Sequence, residues 1–210
     1  MAETYIAIDI EADGPLPGDN NMLALGAAAF NGKGEMLGTF AVNFELCPGA
    51  APDPDTMAWW AERPEAYAAT RENPKAPGDA LQDFEGWLAT LPPGKKVAVY
   101  YPAMFDGVFV RWYFIHFMKR CPFGFGGLDI KTFACGELGT TYTNTVKRKM
   151  PKAWFNANLP HTHVALDDAI EQGYLFAAMW KENRARHEKD LTRTYAEYIA
   201  AAKGRDGTTS

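Results

Sequence analysis

The stretch YIAIDIEADG, Tyr5–Gly14, decides the fold. Its residues alternate with a period of two, which predicts a β-strand, because successive side chains of a strand point to opposite faces. The apolar face is made of isoleucine alone: Ile6, Ile8 and Ile10. We expect this face to lie against the core. The opposite face carries Asp9 and Glu11, so two carboxylates are neighbours on one strand.

This pair of carboxylates needs a neutralising group, because neighbouring negative charges repel each other and lose solvation beside a buried strand. A divalent cation is the first candidate. Mg²⁺ or Mn²⁺ is favoured over Zn²⁺, because oxygen ligands suit these hard ions and neither cysteine nor histidine lies nearby in the sequence. Solvated strand ends also carry Asp-x-Glu pairs, so the rest of the chain has to decide between a metal site and plain solvent exposure.

Length and composition bound the architecture. The chain has 210 residues, of which 47% are hydrophobic, enough for one sizeable core. We expect a single domain over residues 1–204 and a flexible tail over residues 205–210. The three cysteines show no paired spacing, and the sequence contains neither a signal peptide nor a membrane-spanning stretch. These features predict a cytoplasmic protein without a membrane segment.

The net charge of −5 also limits the function. A protein held on nucleic acid by bulk electrostatics needs a basic surface, which this composition argues against. A nucleic-acid enzyme is still compatible, because clustered acids at a metal site make the net charge more negative while a short basic segment contacts phosphates. The concentrated basic segment is Lys147–Lys152, which lies among aromatic residues and is equally typical of a solvated loop.

The rest of the chain predicts an α/β fold with a mixed sheet. Two further strands, Met22–Phe30 and Met36–Leu46, are joined by a tight turn and predict an antiparallel hairpin. Lys96–Tyr101 predicts a later strand, and Leu128–Cys135 a short strand or a helix start. Helices are predicted from near Thr56 with Asp55 as its cap, over Gly78–Leu91, from Asp106, over Val164–Trp180 and over His187–Lys203.

Two later carboxylates are candidates to join the first pair. Asp106 lies where a strand ends and a helix begins, the edge at which open α/β sheets bind ligands, although an aspartate there is also a favourable helix cap. Asp168 shares a helical stripe with Leu175 and Met179, which allows it to face inward, whereas Asp167 lies between stripes.

The tandem Trp59 and Trp60 have two interpretations. Neighbours on a helix point about 100° apart, so both cannot face one core stripe. We favour the interpretation that both wedge the helix onto the sheet, because large aromatic side chains are usually buried. The alternative is that one of them stacks on a base.

With these residues in view, the chain resembles the DnaQ-like exonuclease superfamily, in the DEDDh branch named for four acids and a histidine. IDIEADGP at Ile8–Pro15 is similar to its first motif, FDGVFV at Phe105–Val110 to its second, and HVALDDA at His163–Ala169 to its third. The third motif places a histidine five residues before the catalytic aspartate, which selects His163 and Asp168. One departure is Pro102, which stands where many members carry asparagine.

The resemblance implies a ribonuclease H-like fold and a 3′→5′ exonuclease that acts on the 3′ ends of single-stranded DNA or RNA and releases nucleoside 5′-monophosphates. Two divalent cations, Mg²⁺ or Mn²⁺, would be held by Asp9, Glu11, Asp106 and Asp168. His163 would act as the general base. The residues expected to touch the terminal nucleotide are Gly14, Pro15, Leu16 and Phe105. The oligomeric state stays open; a homodimer is one candidate, since several members of the superfamily are dimers.

Two other classes of function stay open at this stage. A non-catalytic nucleic-acid or protein-binding module of the same fold would be marked by a lost acid, and none is lost here. A phosphohydrolase acting on nucleotides or other small phosphoesters would keep the same acids. Only an assay with defined substrates separates these classes.

Overall fold

The computed structural model describes residues 2–159 and 161–191. Five strands of this part of the chain form one mixed sheet in the order β3-β2-β1-β4-β5. Their bounds are β1 Glu3–Ala12, β2 Met22–Asn31, β3 Met36–Asn43, β4 Lys95–Tyr100 and β5 Leu128–Asp129. The first three strands pair antiparallel, whereas β4 pairs parallel with both β1 and β5. The predicted mixed sheet, with an antiparallel hairpin beside parallel strands, is confirmed.

Helices flank this sheet. Their bounds are α1 Pro54–Ala61, α2 Pro64–Thr70, α3 Pro77–Thr90, α4 Asp106–Tyr113, α5 Ile130–Leu138 and α6 Ala165–Leu191. A π-helical turn at Phe114–Met118 continues α4, and the segment between α5 and α6 contains short 3₁₀ turns, among them Lys147–Lys149 and Lys152–Trp154. None of the helices described is long and apolar enough to span a membrane.

The core lies on both sides of β1. The isoleucine face packs on α3 and α4, through side chains such as Phe84 and Phe109. The other face is covered by α6, whose buried Phe176 and Met179 pack around Tyr5. The close approach of α6 depends on Gly26 of β2, because a Cβ at this position would lie 2.2 Å from the backbone of Ala165. The start of α6 is thereby held against the centre of the sheet.

Several predicted boundaries are wrong. The first helical segment is two helices, because Pro64 lacks an amide hydrogen and starts α2 instead of continuing α1. The cap of α1 is Asp53 rather than Asp55, and the Asp53 carboxylate accepts a hydrogen bond of 2.8 Å from the Thr56 amide. The segment from Leu128, predicted as either a short strand or a helix start, contains both. The short strand β5 is followed directly by α5, whose N-cap is Asp129.

The predicted break between Trp180 and His187 is absent. The helix is continuous over Ala165–Leu191, because the residues between these two positions contain neither glycine nor proline and include good helix formers. The remainder of the predicted helix to Lys203 and the tail at residues 205–210 lie outside the described residues.

Candidate active site

The four predicted acids are brought to one end of the sheet. Asp9 and Glu11 lie on the last part of β1, Asp106 is the first residue of α4, and Asp168 lies in the first turn of α6. One carboxylate oxygen each from Asp9, Glu11 and Asp168 lies within 4.8 Å of the other two. Asp106 accepts a hydrogen bond of 3.2 Å from the amide of Ile10, so its carboxylate faces β1 rather than capping its own helix. All four side chains are buried.

The electrostatics of this group fit a divalent cation. Burial, followed by the charges of the neighbouring acids, raises the pKa of Asp9 well above its ordinary range and the pKa of Glu11 to about 8. Burial also raises the pKa of Asp106 to about 7. The Oδ2 atom of Asp106 is buried without a hydrogen-bond partner among the described residues. An all-oxygen donor set with an unpartnered ligand atom suits a hard ion such as Mg²⁺ or Mn²⁺.

Gln172 is a residue of the site that the sequence reasoning missed. Its Nε2 atom donates a hydrogen bond of 2.5 Å to Oδ1 of Asp9. Gln172 lies four residues after Asp168 on α6, so both side chains lie on the same helix face. The spacing indicates a shared face with Asp168, but no pattern in the sequence indicates the contact with Asp9. The contact with Asp9 fixes the orientation of the carboxylate.

His163 lies at the rim of this acid group. Its backbone has φ = 58°, in the left-handed region that non-glycine residues rarely adopt. Its ring contacts the ring of Trp59 edge to face at a centroid distance of 4.9 Å. Partial burial, followed by the nearby charge of His161, lowers the pKa of His163, so the imidazole is neutral at pH 7.

His161, which the motif spacing passed over, also belongs to the site. Its Nδ1 atom lies 3.0 Å from Oδ2 of Asp168 and 3.5 Å from Oε2 of Glu171. These hydrogen bonds, chiefly the one with Asp168, raise the pKa of His161 to about 9. Glu171 also pairs with Lys147, so one member of the predicted basic segment reaches the site. The adjacent Arg148 is exposed.

An open pocket of about 430 Å³ adjoins Glu11. Trp59 and Phe105 contribute its aromatic surface, and Asp55 and Thr56 contribute polar groups. The expectation that both tryptophans wedge α1 onto the sheet is wrong for Trp59, which is only half-buried and lines the pocket. Only Trp60 is buried; its Nε1 atom donates a hydrogen bond of 3.0 Å to the carbonyl of Ala12. The Arg63 guanidinium lies over the Trp59 ring, 4.0 Å from the ring centroid.

The predicted substrate contacts divide into two groups. Phe105 lines the pocket beside Glu11. The loop residues after β1 do not line it: Gly14 is buried, with its Cα facing the Asn20 side chain, whereas Pro15 and Leu16 are exposed. Pro102 lies in the turn between β4 and α4, where its carbonyl accepts a hydrogen bond of 3.1 Å from the Phe105 amide.

The mixed sheet and the four acids at its end define a DnaQ-like 3′→5′ exonuclease, a hydrolase that acts on phosphodiester bonds. The model of the "3'-5' exoribonuclease Rv2179c-like domain" matches residues 4–180, and the chain belongs to this family. The predicted superfamily membership and ribonuclease H-like fold are thereby confirmed.

Individual proteins agree with this assignment. The 3′-5′ DNA exonuclease Cap18 of Escherichia coli is 25% identical over 182 residues, which cover 83% of this chain and 90% of Cap18. The nuclease domain of 3′hExo, a DEDDh family member bound to rAMP, has the same fold, with a TM-score of 0.64 at 13% identity over 86% of this chain and 93% of that domain. The E. coli ExoI–ssDNA complex matches with a TM-score of 0.59 at 17% identity, over 90% of this chain and 42% of ExoI.

Proposed function

We propose that this protein removes nucleotides one at a time from the 3′ end of single-stranded nucleic acid and releases nucleoside 5′-monophosphates. The observation that carries the proposal is the convergence of four buried acids and two histidines at the edge of an open, aromatic-lined pocket. RNA is the substrate that we propose first, because the family is described as exoribonucleases. The relatives Cap18 and ExoI, described with DNA, make single-stranded DNA the alternative.

Two divalent cations, Mg²⁺ or Mn²⁺, are proposed as cofactors. Asp9, Glu11 and Asp168 would hold one ion through oxygens that already lie near one another, and the unpartnered oxygen of Asp106 would serve the second. When bound, such ions neutralise the phosphate charge, acidify water and stabilise the leaving 3′ oxygen. The raised pKa values of the acids mean that ion binding also displaces protons from them.

His163 is proposed as the general base. Its lowered pKa leaves the imidazole neutral at cellular pH, so that it accepts a proton from the attacking water. His161 is less suited to this role, because its Nδ1 atom is engaged by Asp168 and Glu171. The two histidines therefore have different proposed roles: His163 is the base, and His161 positions the Asp168 carboxylate.

Trp59 and Phe105 are proposed to hold the base of the terminal nucleotide. Both line the pocket beside Glu11, and the contact between the Arg63 guanidinium and the Trp59 ring stabilises the position of that ring. Stacking of a base on an aromatic ring is tolerant of sequence, which suits an enzyme that removes successive nucleotides. The homodimer and the cytoplasmic location stay predictions.

The test uses two octanucleotides, one labelled at the 3′ end and one at the 5′ end, each made as RNA and as DNA and incubated with Mg²⁺ or with EDTA. The proposal predicts that the 3′ label is released at once as a mononucleotide, while the 5′ label shortens in single steps and only with the cation. Binding without cleavage would support a non-catalytic module. Hydrolysis of p-nitrophenyl phosphate esters without shortening of either oligonucleotide would support a small-molecule phosphohydrolase.

A further inference from the structure

A second groove lies on the outer side of α4, with a volume of about 570 Å³. Its floor is the solvent-facing side of α4 and of the π-helical turn after it, and its far wall is the glycine-rich loop before β5. The side chains that shape it are Val108, Arg111, Trp112, Ile115, Phe123 and Phe125. Phe125 is 96% exposed, which is unusual for a large aromatic side chain. We call this feature the α4 groove.

The α4 groove is free of negative charge. None of its described lining residues is acidic, although the chain carries a net charge of −5. Arg111 supplies a positive charge: its guanidinium lies 5.0 Å from the ring centroid of Phe125 and donates a hydrogen bond of 2.6 Å to the carbonyl of Gly124. This contact holds the loop and presents Phe125. Aromatic surface beside an arginine, without a carboxylate, suits a ligand that combines flat rings with negative charge.

The α4 groove and the pocket beside the acids are lined by residues that lie close together in the chain. Phe105, at the N-cap of α4, lines the pocket beside the acids, and Val108, three residues further along, lines the α4 groove. Val108 and the adjacent Met104 are 40% and 83% exposed. Exposed apolar side chains therefore precede and follow Phe105, the residue that lines the pocket beside the acids.

We propose that the α4 groove binds the nucleotides upstream of the scissile phosphate, with one base stacked on Phe125 and a backbone phosphate near Arg111. This proposal rests on the proposed exonuclease function. Bases would occupy the aromatic and apolar walls, and negatively charged phosphates suit a groove with no acidic residue among its described lining residues. A strand whose 3′ end lies in the pocket at Phe105 would have to pass only to Val108, three residues further along, to enter the α4 groove. The groove on this side of α4, rather than the exposed part of the basic segment, then determines the affinity for strands longer than one nucleotide.

The test compares two substrates. The first is an octanucleotide of RNA or DNA, whichever the enzyme cleaves faster, and the second is the p-nitrophenyl ester of a nucleoside 5′-monophosphate, which has no second base. Phe125→Ala should raise the KM of the octanucleotide about 5- to 20-fold, the lower range expected for loss of one stacked base. The KM of the ester should change less than twofold. Phe125→Trp, which keeps a ring, should retain the wild-type KM for both substrates.

Val108→Glu is the second variant, because this exposed helical position accepts glutamate and the added charge repels phosphate. It should raise the octanucleotide KM at least tenfold without lowering the melting temperature. Leu46→Ala, at an exposed apolar position away from the α4 groove, is the matched control. An unchanged octanucleotide KM in both Phe125→Ala and Val108→Glu would overturn the proposal.

Two further results would also overturn it. A raised KM in Arg148→Ala combined with Lys152→Ala, at an unchanged KM in Phe125→Ala, would place the strand along the basic segment. A dimer in the wild type that Val108→Glu converts to a monomer would show that a second copy of the chain occupies the α4 groove. Failure of the proposed function itself is distinguishable, because the wild-type protein would then shorten no octanucleotide at all.

Discussion

The two faces of β1 are buried to nearly the same degree but have opposite consequences. Ile6, Ile8 and Ile10 are at most 3% exposed, and Asp9 and Glu11 are each 8% exposed. Burial of an isoleucine stabilises the fold by about 1.5–3 kcal/mol, whereas burial of a carboxylate opposes ionisation and therefore raises its pKa. One strand thus contributes stability through one face and a functional site through the other. The difference predicts that substitutions on the two faces separate stability from activity.

The largest effect is expected at the acid face. Asp9→Asn should reduce exonuclease activity below detection, because the amide cannot replace an anionic ligand that neighbours both Glu11 and Asp168. The fold should survive, since the substitution removes charge repulsion from a buried group. Nucleotide release in Mg²⁺ and the melting temperature in EDTA measure the two quantities. Asp79→Asn, at an exposed position on α3, is the matched control, and a wild-type rate in Asp9→Asn would remove the acid face from the mechanism.

The second-largest effect is expected at His163, the proposed general base. His163→Ala should slow hydrolysis by about two to four orders of magnitude, the usual contribution of a general base. The wild-type rate should fall as the pH drops below the lowered pKa of His163, because protonation removes the accepting nitrogen. The variant should lose this limb of the pH profile. A rate profile with the same acid limb in His163→Ala would assign the limb to another group and would remove His163 as the general base.

The sequence predicts both faces of β1 because alternation along a strand is a local property. For Asp168, the helical stripe shared with Leu175 and Met179 allowed an inward orientation, and the resemblance to the third motif selected it; all three residues are buried. Gln172 and His161 were missed for a different reason. Their roles arise from contacts between α6, β1 and the loop before α6, and no local pattern encodes which helix turn meets which strand residue. Trp59 was assigned to the core because large aromatic side chains are usually buried, and the sequence does not distinguish it from the buried Trp60.

The isoleucine face gives the reciprocal prediction. Ile8→Ala should lower the free energy of unfolding by about 2–5 kcal/mol, because Ile8 is fully buried and its truncation leaves a cavity. The rate constant of the folded fraction should stay close to wild type, since the acid side chains point away from the cavity. Urea denaturation and kcat at low temperature measure the two quantities. Leu46→Ala, at an exposed position, should change stability by less than about 0.5 kcal/mol. A large loss of kcat in folded Ile8→Ala would mean that the two faces are not separable.

A smaller effect is expected where α6 supports the acid face. Gln172→Leu removes the hydrogen bond to Asp9 and should weaken the affinity for the divalent cation about 10- to 100-fold, as is usual for groups that orient a metal ligand. Saturating Mg²⁺ should restore most of kcat, which separates loss of orientation from loss of the ligand itself. Activity measured across a range of Mg²⁺ concentrations provides the readout. An unchanged Mg²⁺ midpoint would show that Asp9 keeps its orientation without Gln172.

The smallest effect is a dependence of stability on pH, which arises from the acid face of β1 together with Asp106 and His161 beside it. The folded-state pKa values of Asp106 and Glu11 are raised to about 7 and about 8, above their unfolded values near 4. Their contribution to stability is therefore complete below about pH 4 and is lost as the pH rises through 7 and 8. His161, with its pKa raised to about 9, acts in the same direction. In EDTA the melting temperature should fall from pH 5.5 to pH 8.5 by several degrees, and Asp9→Asn should show a smaller fall, because one charge of the repelling group is gone. Ile8→Ala should show the same pH dependence as wild type, at a lower melting temperature throughout. Equal slopes of melting temperature against pH in Asp9→Asn and wild type would mean that the carboxylates are not coupled across β1.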